Sequence, residues 1–218
     1  YRLVLDDKWT YEKFKTVGLA VTVDLDGNGM DANDQYTLAA ANCAYLPYFF
    51  GQGYNLLVTD SDGNPSIGNL CETEINVLED IIELCNADTT WYLTKFQGSG
   101  MGTTDVFESG RCLFWAQLMV GANKLRNMSM DFGILPLPKR DESQEKYISY
   151  LHTKTSLLSV PVTNSKDDDR TGHIIEDMAY HSWKVIRPQY FEVLFDGIIA
   201  RDSETTHYMT NTGKNAWN

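Results

Sequence analysis

The stretch TTDVFESGRCLFWAQLMV, residues 103–120, carries two kinds of pattern end to end. Its first half, TTDVFESG, predicts a short helix. Thr103 or Thr104 supplies the N-cap oxygen, and Gly110 offers a stop that can take a left-handed backbone. Its second half, RCLFWAQLMV, is aromatic and aliphatic and too brief for a core helix, so it predicts a strand. A helix that hands over directly to a strand is the building unit of α/β proteins, and the neighbouring segments extend the alternation.

Upstream, WTYEKFKTVGLAV (9–21) reads as a helix capped by Thr10, with Glu12 in its first turn and Phe14 and Val17 at helical spacing. YTLAAANCAYLPYFFGQG (36–53) is an apolar, aromatic run closed by a Gly-rich break. NLLVTDSDGNPSIGN (55–69) predicts two short strands around an Asp-Gly turn. ETEINVLEDIIELC (72–85) is the clearest helix, with Ile75, Leu78, Ile82 and Cys85 on one face. Downstream, GANKLRNM (121–128) gives one or two helical turns, and DFGILPLPK (131–139) a strand closed by prolines. YISYLHTKTSLLSVPVT (147–163) holds two more candidate strands. DDDRTGHIIEDMAYHSWKVI (167–186) is an acid-fronted helix with Ile174 and Met178, and Ile175, Ala179 and Trp183, at i, i+4 spacing. The expected fold class is α/β.

Composition narrows function. With 218 residues, 43% hydrophobic and 12% aromatic, the chain can bury a sizeable core. A net charge of -12 leaves no basic stripe for a phosphate backbone, so nucleic acid is excluded as a partner, and cations are attracted instead. No run of about 18 apolar residues exists to span a membrane. The chain begins at Tyr1 and reads as a piece of a longer protein. The cysteines Cys43, Cys71, Cys85 and Cys112 have no metal-type spacing. On one helix, Cys71 and Cys85 would lie about 21 Å apart at about 1.5 Å per residue. That is beyond the roughly 7 Å limit for a disulfide, so buried free thiols are expected.

One loop stands out chemically. In VDLDGNGMDANDQY (23–36), Asp24, Asp26 and Asn28 occupy the first, third and fifth places of an EF-hand-type loop. Gly29 makes the turn at the sixth, and the Met30 carbonyl falls at the seventh. Such spacing wraps hard oxygen donors around Ca²⁺. The twelfth place holds Gln35, however, and the closing acid, Asp34, comes one position early. Without a bidentate Glu the loop lacks the lever of a sensor, and a structural Ca²⁺ held by Asp24, Asp26, Asn28, Met30 and Asp34 is the expectation. Other motifs carry less. DSDGNP (60–65) is a hairpin turn, GSGMG (98–102) a connector without a following Lys-Ser/Thr, and DFG (131–133) lacks the other kinase elements. His152, His173, His181 and His207 form no ligand or triad spacing, and no GxSxG or HExxH occurs. No catalytic residues are assigned, and the chain is expected not to be an enzyme.

Taken together, WTYEKF, DLDGNGMDANDQY, FESGRCLFW, LRNMSMDFGILPLPK, SVPVT and the DDDRTGHIIEDM helix resemble the extracellular solute-binding proteins of bacterial ABC importers. The likeness is to the maltose-binding-protein-like sugar-binding family, and most of all to its lipid-anchored members. It runs over nearly the whole chain, carried by Trp9–Phe14, Phe107–Phe114 and Asp131–Pro138. The resemblance implies a two-lobe, periplasmic-binding-protein-like type II fold. Residues 8–125 would form most of the second lobe, 126–146 a hinge-crossing segment, and 147–218 a partial return to the first lobe with a tail. It implies a sugar or oligosaccharide as ligand, ABC permease membrane subunits as partners, and a cell-surface, lipid-anchored parent protein whose anchor lies outside this chain. Sugar sites join aromatic faces to a few fixed polar groups. The residues matching the family's cleft segments are Trp115 and Gln117, followed by Asn42 and Tyr45. Two other classes stay open. A secreted carbohydrate-active enzyme would need two facing carboxylates, and a dockerin-like calcium module a second, complete ion loop.

Overall fold

A computed structural model describes residues 1–40, 45–68, 70–87, 90–92, 100–151, 155–191, 193, 203 and 205. The chain is mixed α/β and divides into two compact units, Tyr1–Met130 with Leu135–Tyr150, and Asp131–Ile134 with Leu151–Asn218.

In the first unit the elements run α1 (Arg2–Leu5), α2 (Tyr11–Leu19), β1 (Tyr36–Ala40), α3 (Tyr45–Gly51), β2 (Leu57–Thr59), β3 (Pro65–Ile67), α4 (Glu72–Asn86), β4 (Thr90–Tyr92), α5 (Thr103–Glu108) and β5 (Cys112–Ala116). Strands β4, β1 and β5 form a parallel sheet in that order, with Leu38 opposite both Thr90 and Phe114. All five residues of β1 are buried, as expected of a central strand of a sheet covered on both faces. The apolar run 36–53 thus contains a strand and a helix, a division its composition does not mark. The Asp-Gly hairpin forms as expected, with β2 and β3 antiparallel and Gly63 at φ 85°.

Helix α2 begins as its sequence dictates, with the Thr10 hydroxyl accepting the Lys13 N–H at 3.4 Å. Its buried stripe runs through Tyr11, Phe14 and Gly18, while Val17, expected inside, is 39% exposed. A Cβ on Gly18 would stand 2.2 Å from Thr37 Cγ2, so glycine is what lets this helix lie directly on β1. Phe14 meets the rings of Trp9, Tyr11, Tyr48 and Phe114 at centroid separations of 5.1–6.1 Å.

Helix α4 forms where expected, but its inner face is rotated. Ile81 and Cys85 are buried, while Ile75 and Ile82 are each 43% exposed. Its first turn is fixed by the Glu74 carboxylate, which accepts the Cys71 N–H at 2.8 Å. Helix α5 starts one residue earlier than the Thr cap predicts. Gly102 is the N-cap, and its N–H donates to Asp105 at 2.7 Å. Its end is a Schellman motif: Gly110, at φ 74°, donates to the Phe107 carbonyl and Arg111 to that of Val106. Strand β5 is shorter than the 111–120 expectation. The chain leaves the sheet after Ala116 and winds into a 3₁₀ run, Met119–Asn127.

No strand forms over 131–139. Pro136 and Pro138 have no N–H to give a ladder, and only Lys139 pairs, in an isolated parallel bridge with Thr10. There the Lys139 N–H donates to the Trp9 carbonyl at 3.0 Å, and Tyr11 donates to the Lys139 carbonyl at 2.8 Å. The Lys139 ammonium is fully buried, 2.9 Å from an Asp7 carboxylate oxygen.

Neither strand expected over 147–163, a stretch that passes from the first unit into the second, forms among the described residues, and 152–154 lie outside them. Leu157 and Leu158 are 89% and 73% exposed, so no packing partner holds that segment extended. A 3₁₀ run, Val162–Asp167, leads into α6 (Asp168–His181), which continues with π geometry over Ser182–Ile186. The helix is as expected, yet Ile174, Met178 and Trp183 face solvent.

Phe14→Ala removes the ring at the centre of the α2–sheet interface and is expected to cost about 3–5 kcal/mol in urea unfolding. Among the described cysteines Cys71 is exposed, and Cys85 and Cys112 are buried. Burial, the largest cause, pushes the Cys112 thiol up to about 12. Native alkylation at neutral pH is therefore expected at Cys71 and not at Cys85 or Cys112, read by peptide mass mapping.

Candidate functional site

The acidic loop is closed at its neck by paired backbone hydrogen bonds between Val23 and Gln35, at 3.0 and 3.1 Å. Between them, Gly27 and Gly29 adopt φ 77° and 99°, the left-handed conformations that a tight loop requires of glycine. Asp24 accepts the N–H groups of Gly27 at 2.6 Å, Gly29 at 2.9 Å and Asp26 at 3.3 Å. Asp26 in turn accepts the backbone and side-chain N–H groups of Asn28, at 3.1 and 2.8 Å.

Asp34, the acid displaced by one place in the motif, is the buried clamp of the loop. It has no exposed surface, and its two oxygens accept the N–H groups of Leu25 and Asp31, each at 2.7 Å. One carboxylate oxygen each from Asp24, Asp26 and Asp34 lies within 4.8 Å of the others. Oxygens sharing one Ca²⁺ at about 2.3–2.6 Å stand no more than about 5 Å apart, so this spacing fits a calcium-sized ion. Asn28 belongs to the group through Asp26. The Met30 side chain, as distinct from the carbonyl expected to face the ion, packs against the core cluster of Tyr36, Ala39, Val106 and Cys112.

Two residues that the sequence reading missed hold the far wall of the loop. The Arg111 guanidinium donates to the Ala32 carbonyl at 2.5 Å, and the Tyr36 hydroxyl donates to the Asp31 carbonyl. The one signal for Arg111 is its position, a cation directly after the Gly110 stop in a strongly acidic chain.

The loop meets the sheet at the start of β1, the amino edge. Trp115 and Gln117, two of the residues proposed to touch a ligand, belong to the other edge. Strand β1 ends at Ala40, opposite Ala116 at the end of β5, so the chain leaves both strands at one carboxyl edge. Gln117 follows immediately and is exposed, its amide oxygen accepting the Leu118 N–H at 2.9 Å. Trp115 is partly buried. Its ring stacks on Phe107 at 5.7 Å, and its Nε1 donates to the Thr103 hydroxyl at 3.3 Å. A Cβ on Gly121 would stand 2.3 Å from Gln117 Cγ and 3.2 Å from Trp115 Cη2, so the 3₁₀ turn packs directly on both side chains. Tyr45, 36% exposed, opens α3. Asn42, two positions after β1, lies outside the described residues.

No protein-family model, curated protein or solved structure matches the chain. Among the described residues no helix is long and apolar enough to cross a membrane.

Asp34→Ala leaves two loop N–H groups without their acceptor and is expected to destabilise the fold by about 1–3 kcal/mol. Asp26→Ala, at an exposed site, should stay within about 0.5 kcal/mol, both measured by urea titration. The N–H groups of Gly29 and Gly27 hold the Asp24 carboxyl below its ordinary value of 3.8. A depressed folded value means a contribution that is present above 3.8 and lost as acidity carries the pH below it. An acid titration of wild type against Asp24→Asn should show the two stability curves converging in that range.

Proposed function

We propose that this chain is part of the non-catalytic, ligand-capturing component of a bacterial ABC importer, displayed at the cell surface on a lipid-anchored protein. It would belong to a two-lobe, type II binding-protein fold. Its ligand is a sugar or oligosaccharide, and its partners are the permease subunits in the membrane. The observation that carries the reading is the register of the parallel sheet, with Ala40 opposite Ala116. Ligands of open α/β sheets bind at the carboxyl ends of the strands. The Trp115–Gln117 segment comes to that edge, next to the strand that leads to Asn42 and Tyr45. Gln117 offers an amide to a hydroxyl-rich ligand, and Tyr45 an exposed ring.

The pairing of Trp9, Thr10 and Tyr11 with Lys139 adds support, because it ties the start of α2 to the segment that the resemblance assigns to the hinge. Closure of the lobes around the sugar is then a population shift between open and closed forms, with the permease reading the closed one.

The acidic loop takes a separate, structural part. Asp24, Asp26, Asn28 and Asp34, with the Met30 carbonyl, hold a Ca²⁺ at the amino edge of β1. The strand that leads from this loop to the carboxyl edge, four residue steps of about 3.3 Å, spans roughly 13 Å.

In the full-length protein, a panel of saccharides and peptides is expected to raise Tm only with its sugar. A saturating ligand at a hundred times Kd adds about 2.7 kcal/mol. No shift with any saccharide would sink the sugar reading. Gln117→Ala should weaken the sugar about tenfold, the loss of about one well-made hydrogen bond. Chelation should lower Tm while leaving sugar affinity nearly unchanged, and a large loss of affinity would place the ion in the ligand site instead.

A further inference from the structure

The chain contains one Asn-Gly pair, Asn28–Gly29, and it lies in the exposed part of the acidic loop. We propose that Asn28 is a site of spontaneous covalent modification, conversion to aspartate and isoaspartate, and that Asp24 is the brake on it. The attacking group is the Gly29 backbone nitrogen. It gives up its proton to solvent base and bonds to the Asn28 side-chain carbonyl carbon, and the amide nitrogen leaves as ammonia. The resulting cyclic imide is opened by water at either carbonyl, yielding aspartate or isoaspartate. Water is consumed, ammonia is released, and no oxidant or reductant takes part.

Sequence and geometry permit the closure. Gly29 has no side chain to obstruct the ring, and beyond its two chain neighbours no atom lies within 4 Å of where its Cβ would stand. Asn28 is exposed, so water reaches it. The same fold restrains both reacting groups. The Gly29 N–H is held by Asp24 Oδ2 at 2.9 Å, and the Asn28 side-chain nitrogen by Asp26 Oδ2 at 2.8 Å. A carboxylate on that N–H opposes its loss of a proton, because it would set two negative charges side by side. The product matters to the loop. Aspartate adds another carboxylate beside Asp24, Asp26 and Asp34, and isoaspartate lengthens the backbone within the turn that the Asp24 hydrogen bonds close.

The test follows the mass of the residue 28 peptide over days at 37 °C in the intact chain, with chelator present so that the outcome is independent of any bound cation. In urea, conversion at Asn28 should outrun every other asparagine. In the folded chain it should be slower by roughly tenfold or more, the protection expected from a hydrogen bond to a charged acceptor. Asp24→Asn should restore most of that rate at Asn28. Asn86, whose side chain donates to the Ile82 carbonyl inside α4, reports any general loss of fold. Equal rates in folded and unfolded wild type overturn the brake, as does an Asp24→Asn variant with an unchanged rate at Asn28 or a parallel rise at Asn86. Conversion in urea no faster at Asn28 than elsewhere overturns the site itself.

Discussion

The first unit closes around a lysine with no solvent. Lys139 arrives at the end of a proline-rich segment, and its ammonium sits 2.9 Å from Asp7 and 5.3 Å from the centre of the Tyr147 ring. The contact with Asp7 is close enough for an ion pair but misaligned for a hydrogen bond. Asp7 itself is held at φ 60°, a strained conformation for a residue with a side chain. Burying a charge costs several kcal/mol before pairing, so the partners hold one another to one arrangement. Around them Trp9 Nε1 donates to the Pro136 carbonyl at 3.0 Å, and the Trp9 N–H reaches the Tyr147 hydroxyl at 3.3 Å. Three distant stretches of chain are joined at one point, and α2 starts from it.

From that point the aromatic packing follows. Trp9 and Phe14 meet Phe114 on β5, and Phe14 meets Tyr48 on α3. The sheet is thereby fixed between α2 and α5, and its two ends take different characters. The amino end carries a loop whose carboxylates satisfy its own backbone N–H groups. The carboxyl end carries the exposed Gln117 directly after the partly buried Trp115 and Ala116. The buried strand β1 runs between the two, so the acidic loop and the edge proposed for the ligand lie at its opposite ends.

Local chemistry was readable from sequence where it acts locally. The Thr10 cap, the Gly110 stop, the Asp-Gly hairpin and the acidic helix α6 depend on a few adjacent residues, and each forms. Choices made by distant partners were not readable. The pattern of helix α4 pointed to Ile75 and Ile82 as its inner face, and packing in the fold chose Ile81. The run 131–139 looks like a strand by composition, but two prolines deny it a ladder and leave one bridge at Lys139. In the site, the spacing of Asp24, Asp26 and Asn28 was plain. The inward turn of Asp34 and the reach of Arg111 to Ala32 required the chain to have folded back on itself.

The strand order has a kinetic consequence. β1 is made first, yet it is the middle strand, and its neighbours are residues 90–92 and 112–116. Contacts so far apart in sequence carry a loop-closure cost and slow the search. Until both partners are synthesised and docked, an apolar central strand presents two open edges, the surface that most readily pairs with another chain. Expression of any piece ending before β5 would therefore expose β1 to aggregation, whatever its helices had achieved on their own.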